Sequence, residues 1–141
     1  MQLTMMCALI LALALPAAVG AQPFTPYPRS TLDPAASDAA TTASGRTMQV
    51  RVYTTGDPFE TVVAFYKSRY KETACGAAPK LPNGQRVRWA CFVLDEAEHL
   101  WTSKSWMKVQ RPYVGQVTLQ GATPHFTDVR DATVIETVEK R

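Results

Sequence analysis

The 141-residue sequence is poor in the residues that catalytic and metal sites most often use. It contains two histidines and three cysteines. It has no His-Glu-x-x-His zinc motif, no Gly-x-Ser-x-Gly nucleophile turn and no phosphate-binding glycine loop. With 46% hydrophobic and 19% charged residues, its composition also excludes a collagen-like, coiled-coil or wholly disordered chain. A single domain large enough to bury its own core is expected.

A partial metal motif and a group of acids are the only hints of site chemistry. Glu96-Ala97-Glu98-His99 contains one Glu-x-x-His step, whereas a di-metal carboxylate site needs two. Asp95, Glu96 and Glu98 could serve acid–base catalysis if folding brought them together, but a solvated acidic turn is the ordinary explanation. His125 is expected in an exposed turn. We therefore expect no catalytic residue, no metal and no cofactor, with a small secreted hydrolase of unrecognised site as the alternative.

Long hydrophobic runs are absent after the first residues. The run Cys7–Leu15 is followed by Pro16 and by small residues ending at Ala21, which predicts a cleaved signal peptide over residues 1–21. The mature protein would then be periplasmic or extracellular. No Lys or Arg precedes the run, so an uncleaved membrane anchor is the alternative, although a span needs about 20 apolar residues.

Two cysteines, Cys75 and Cys91, remain once the signal peptide is removed. An even pair in an exported chain predicts a disulfide bond. Their spacing fits neither a redox-active Cys-x-x-Cys motif nor a zinc knuckle. Two buried free thiols are the alternative.

Composition divides the mature chain at residue 48. Residues 22–47 hold four of the ten prolines and an Ala/Ser/Thr-rich run, which predicts an extended Pro/Ala-rich leader. The alternative for its second half is a short helix capped by Asp33 and ending before Gly45. Residues 48–141 are predicted to form a single α+β domain.

The domain should begin with a strand and a helix. Apolar and polar residues alternate from Met48 to Tyr53, as in a half-buried strand. Asp57 is the expected N-cap of the helix, with Pro58 in the first position and Glu60 completing a capping box. The apolar residues that follow recur at three- and four-residue steps, and the helix is expected to end near Gly76.

Strand signals dominate the rest of the chain. Alternation predicts a strand near 87–93, after a loop with an Asn-Gly turn signal, and further strands near 105–111, 116–120 and 132–138. One strand, one helix and then several strands predict an α+β fold. We expect one main helix packed on a mostly antiparallel sheet of about four to five strands.

The segment VRVYTTGDPFETVVAFYKSRY, residues 50–70, resembles a segment of small exported bacterial proteins of unknown function. In those proteins, a strand ending in Tyr-x-Thr leads into a helix with a Val-x-x-Phe-Tyr-Lys pattern. Tyr27-Pro28 and the final TVIETVEK also correspond to related residues there. The resemblance covers about a third of the chain, supports the fold and export predictions, and implies no catalytic residue.

Positive charge is concentrated between residues 65 and 111, which hold nine basic and four acidic residues. Aromatic residues lie among the bases, and such a pattern can hold an anionic polymer through charge and stacking. We select Arg86, Arg88, Trp106 and Lys108 as tentative ligand-binding residues. The competing explanation is that the tryptophans belong to the hydrophobic core and that the basic residues only keep the surface soluble. The sequence thus predicts a small exported non-catalytic domain that binds an anionic envelope polymer or another envelope protein.

Overall fold

The structure, a computed structural model, describes residues 22–141, so the predicted signal peptide lies outside the described residues. The predicted α+β class with a mostly antiparallel sheet is confirmed, but the described chain has eight strands, not four to five. The elements in chain order are β1 (Thr31–Asp33), α1 (Pro34–Ala43), β2 (Met48–Thr55), α2 (Phe59–Lys67), β3 (Lys71–Thr73), β4 (Arg88–Val93), β5 (Ser105–Arg111), β6 (Tyr113–Gln120), β7 (Thr123–Arg130) and β8 (Thr133–Lys140).

Six of the strands form one sheet in the order β1-β2-β8-β5-β4-β3, and β6 and β7 form a separate two-stranded sheet. Every pairing is antiparallel. The last strand, β8, lies between β2 and β5, near the middle of the larger sheet. Since β6 follows β5 and β7 precedes β8, the β6–β7 hairpin extends from the two central strands.

The two faces of the six-stranded sheet carry separate hydrophobic clusters. Residues alternate between faces along each strand, so Ile135 and Val138 of β8 fall in different clusters. The first cluster contains Tyr27, Phe59, Val62, Val63, Tyr66, Tyr70, Ala90, Phe92, Leu94, Met107, Val109 and Ile135. The second contains Val50, Val52, Tyr113, Val134 and Val138, with Ala36 and Ala40 of α1 packed against it.

Asp57 does not cap α2, contrary to the sequence prediction. The residue before the helix is Pro58, and no side chain accepts a hydrogen bond from the first turn. The Asp57 carboxylate instead accepts a hydrogen bond from the Tyr27 hydroxyl, at 2.5 Å, and one from Arg29 Nε, at 2.6 Å. These bonds, that from Tyr27 first, hold the pKa of the Asp57 carboxyl below its ordinary value. Asp57 therefore anchors the segment before β1.

Helix α2 is shorter than predicted, because the chain re-enters the sheet at β3. The helix ends at Lys67, and Lys71–Thr73 pairs with β4. Tyr70 lies beyond the end of the helix but is still buried in the first cluster. Its hydroxyl donates to the carbonyl oxygen of Pro23, which fixes the beginning of the described chain on this face.

Residues 22–47 pack on the domain instead of forming an extended leader. Tyr27 is buried in the first cluster, and β1 pairs with β2. The alternative helix is present as α1, and the Asp33 carboxylate accepts a hydrogen bond from Ala36 N at 3.0 Å. Tertiary packing stabilises a helix too short to be stable alone.

Strand β7 was missed by the sequence analysis, and the prediction that His125 lies in a turn is wrong. The turn is confined to Gly121 and Ala122, and Gly121 has a φ of +65°. Pro124 is compatible with a strand here because a two-stranded sheet leaves one edge of each strand free. The predicted Asn83-Gly84 turn is present, closed by the pairing of Lys80 with Arg86.

The predicted disulfide between Cys75 and Cys91 is confirmed, with Cα atoms 5.4 Å apart. It links the segment after β3 to the middle of β4. Neither helix within residues 22–141 has the length and hydrophobicity required to span a bilayer.

Candidate functional site

A groove lies on the sheet face that carries the second cluster, between α1 and the β6–β7 hairpin. We call it the α1–hairpin groove. Two adjoining cavities of about 500 Å³ and about 620 Å³ form it. The residues lining both cavities are Ala40, Ala43, Lys108, Gly115, Gln116 and Glu136.

The groove exists because α1 covers only part of this face. The helix packs mainly against β2, so side chains of β4, β5 and β8 beyond it line the groove. Its side chains toward the groove are short, including Ala36, Ala39, Ala40 and Ala43. Together they leave room for a ligand beside the sheet.

An ion pair lies on the floor of the groove. Lys108 of β5 is directly opposite Glu136 of β8 in the sheet register. The Lys108 Nζ is 3.9 Å from Glu136 Oε1, and the two side chains are 26% and 31% exposed. Both groups thus retain free surface with which to contact a ligand.

Two half-buried tryptophans, Trp89 and Trp106, also line the groove. The indole N–H of Trp89 donates to the carbonyl oxygen of Gly76 at 3.2 Å, and Lys108 Nζ lies 5.6 Å from the centre of the Trp89 ring. Lys140 Nζ lies 5.4 Å from the centre of the Trp106 ring. The hydrogen bond of Trp89 and the packing of Trp106 against the second cluster orient the two rings toward the groove.

The structure places two of the four tentative ligand-binding residues, Trp106 and Lys108, in the groove. Arg88 points to the opposite face of the sheet, where it pairs with Glu60 and lies 4.6 Å from the centre of the Phe59 ring. Arg86 is exposed in the loop before β4. The four residues therefore do not form one basic surface.

Glu136 was not selected from the sequence, because its position depends on the strand register. It lies 28 residues from Lys108 in a segment predicted only as a strand. Trp89 is one of the aromatic residues that lie among the bases between residues 65 and 111, but it was not selected as a ligand-binding residue. The alternation of residues along β4 could have placed Trp89 on the same face as Cys91. It could not have placed Trp89 beside Trp106, which lies in another strand, β5.

Asp95 organises the loop after β4. Its carboxylate accepts hydrogen bonds from the Ser103 hydroxyl and from the backbone N–H groups of Ala97, Lys104 and Ser105. Partial burial opposes ionisation, but these bonds outweigh it and hold the pKa of Asp95 below its ordinary value. The acid is thus committed to loop structure.

Replacing Asp95 with asparagine should destabilise the protein most at neutral pH. The lowered pKa means that the unfolded state binds more protons, so the carboxylate stabilises the fold above about pH 4 and loses its effect as pH falls through the folded-state pKa. We expect a loss of about 1–3 kcal/mol at pH 7, measured by urea unfolding. The loss should shrink in acid. Glu98→Gln, at an exposed position of the same loop, is the control; an equal loss for both variants would contradict this role.

The other residues of the acidic turn do not converge. The rings of His99 and Trp101 stack with centres 4.3 Å apart, and Trp101 is 70% exposed. Within residues 22–141, no three His, Cys, Asp or Glu side chains are grouped closely enough to hold a metal ion.

Comparisons with protein-family models, curated proteins and solved structures found no match to this chain. The resemblance of residues 50–70 to small exported proteins therefore stays a prediction.

Proposed function

We propose that this protein is a small exported, non-catalytic binding domain whose α1–hairpin groove holds a segment of a neutral glycan. The observation that carries the proposal is the arrangement of Trp89 and Trp106 around the Lys108–Glu136 ion pair. Aromatic rings beside a few placed polar groups are typical of a ligand site. A sugar presents apolar C–H faces to such rings and hydroxyl groups to the lysine and the carboxylate.

The charges of the groove favour a neutral ligand over an anionic one. Its charged lining residues are three acids and two bases: Asp33, Asp128, Glu136, Lys108 and Arg130. Each base has an acidic partner, since Arg130 Nε lies 3.1 Å from Asp128 Oδ1 and Lys108 pairs with Glu136. A polyanion would have to displace these pairs, so the anionic envelope polymer expected from the sequence has weaker support.

The floor of the groove also favours a glycan over an extended peptide. Extended peptides are commonly recognised by main-chain hydrogen bonds to a free sheet edge. Here the floor is the face of paired strands β4, β5 and β8, whose backbone groups are already bonded to each other. The floor therefore offers a ligand side chains only, which suits a glycan stacked on the tryptophans. An extended peptide would instead be expected along the free edge of β6 at the border of the groove.

Export is part of the proposal, and two features support it. The predicted signal peptide precedes the described domain, and a disulfide bond such as Cys75–Cys91 is typical of oxidising compartments outside the cytoplasm. The hydrolase alternative gains no comparable support, because Asp95 is bonded to its own loop. The acids of the groove are also engaged: Asp33 accepts from Ala36 N, Asp128 pairs with Arg130 and Glu136 pairs with Lys108.

Trp106→Ala should weaken the binding of uncharged oligosaccharides about tenfold or more. The variant loses one stacking interaction, worth about 1.4 kcal/mol of binding free energy, which corresponds to about a tenfold change in Kd. Titration calorimetry with neutral glucan and N-acetylglucosamine oligomers measures it. Trp101→Ala removes an exposed ring outside the groove and is the matched control.

A salt series separates the neutral from the anionic ligand. Affinity for a neutral glycan should change little with salt, whereas heparin binding would fall steeply through counterion release. Binding of heparin alone, abolished by added salt and weakened by Arg86→Ala, would contradict the proposal and favour the anionic polymer. Equal effects of Trp106→Ala and Trp101→Ala would also contradict it.

A further inference from the structure

The β6–β7 hairpin presents an exposed and uncharged strand edge. Residues 114–127 contain no Lys, Arg, Asp or Glu. Val117 and Leu119 are 55% and 73% exposed. Proteins usually protect long strand edges with charged residues, prolines or covering elements. Strand β6 contains no charged residue and no proline.

The turn determines which backbone groups of β6 point outward. In a hairpin with a two-residue loop, the flanking residues form a hydrogen-bonded pair, here Gln120 with Thr123. Hydrogen-bonded and non-hydrogen-bonded pairs alternate along the hairpin from there. Val117 and Leu119 therefore belong to non-hydrogen-bonded pairs, and their backbone N–H and C=O groups point away from β7. Within the described structure, these groups have no backbone partner.

The same alternation places the side chains of Val117 and Leu119 on one face, opposite Phe126 and Pro124 of β7. The outer edge of β7 is less suited to pairing. Pro124 occupies an outward-facing position and has no N–H to donate. Edge pairing is therefore directed to β6.

We propose that two copies of this chain associate by pairing β6 with β6, antiparallel about a twofold axis at Thr118. In this register, Val117 forms a hydrogen-bonded pair with Leu119 of the partner subunit, and Leu119 with Val117 of the partner subunit. Four backbone hydrogen bonds result. The product is a four-stranded sheet with one continuous apolar face.

The length of β6 makes it the strand best able to pair with another chain. Its lack of charge makes a second copy of the same strand an acceptable partner. A twofold axis brings each strand against itself, so any charge near the axis would face a like charge; β6 has none. Thr118 would face Thr118 of the partner subunit, a favourable cross-strand pair. The outer strands of the larger sheet, β1 and β3, have only three residues each.

Analytical ultracentrifugation of the mature chain should show a concentration-dependent dimer. Leu119→Pro removes one outward N–H without removing an internal hydrogen bond, and Pro124 shows that this hairpin accommodates proline at the facing position. We expect this variant to sediment as a monomer. Phe126→Pro makes the same change on the outer edge of β7 and should leave the dimer intact. Wild-type protein that is monomeric throughout, or equal loss of the dimer in both variants, would overturn the proposal.

A cysteine at the axis tests the register independently of proline. In a non-hydrogen-bonded antiparallel pair the Cα atoms are about 4.5 Å apart, within the range of a disulfide. Thr118→Cys should therefore yield a covalent dimer on mild oxidation. His125→Cys, at the position that pairs with Thr118 within the hairpin, should stay monomeric on a non-reducing gel. Cross-linking of the His125 variant alone would overturn the proposed register.

Discussion

A variant in which Cys75 and Cys91 are both replaced by alanine should lose about 3 kcal/mol of unfolding free energy. The bond closes a loop of 15 intervening residues between β3 and β4. In the chain-entropy model, opening such a loop increases the entropy of the unfolded state. Cys91 is only 2% exposed, so the truncation also removes buried contacts. Guanidinium unfolding of oxidised wild type and variant measures the difference.

Reduction provides the matched control for this experiment. Wild-type protein in reductant should approach the stability of the double variant, whereas the variant should be insensitive to reductant. The Trp89 indole donates to Gly76, next to Cys75, so we also expect altered tryptophan fluorescence. An unchanged free energy of unfolding in the double variant would contradict this prediction. It would mean that other contacts, and not the disulfide, hold the segment after β3 against β4.

Tyr66→Phe should raise the unfolding free energy by about 1–3 kcal/mol, the cost of burying an unpaired polar group. Tyr66 is fully buried, and within the described chain its hydroxyl makes no hydrogen bond of good geometry; the Tyr27 backbone is near enough to lower its pKa but not to offset burial. Burial raises the pKa of this hydroxyl, which stays neutral. Removing it leaves the aromatic contacts with Phe24, Tyr70 and Phe92 in place.

Tyr70→Phe is the control of opposite sign. The Tyr70 hydroxyl donates to the carbonyl oxygen of Pro23 at 2.9 Å and accepts from Thr25 N at 2.8 Å. Its loss should reduce stability by about 0.5–1.5 kcal/mol for each bond. Thermal and denaturant unfolding of both variants measure the two signs. Destabilisation of similar size in both would show that Tyr66 has a partner in solution.

Local patterns predicted most elements but not their assembly. The alternation of β2, β4, β5 and β8 and the helical repeat of α2 were visible because each depends on neighbours in the chain. The role of Asp57 was not, because Tyr27 and Arg29 bind its carboxylate from about 30 residues away. Distant packing overrode a strong local capping signal.

The groove illustrates the same limit. Trp106 and Lys108 were selected from the density of bases and aromatics, but that criterion also selected Arg88. Arg88 lies on the other face of the sheet and stacks on Phe59. A correct selection needed the register that sets Lys108 opposite Glu136, and register depends on the turns and on which face is buried.

The position of β8 has a consequence for the order of folding. This strand follows all the other described strands in the chain, yet it joins β2 to β5. The two halves of the larger sheet therefore stay unconnected until residues 133–140 are available. Contacts between segments so far apart form slowly. A ribosome-bound chain lacking β8 cannot complete the sheet. In the export proposed above, this delay would keep the polypeptide unfolded for translocation, and folding and oxidation of the cysteines would follow on the far side of the membrane.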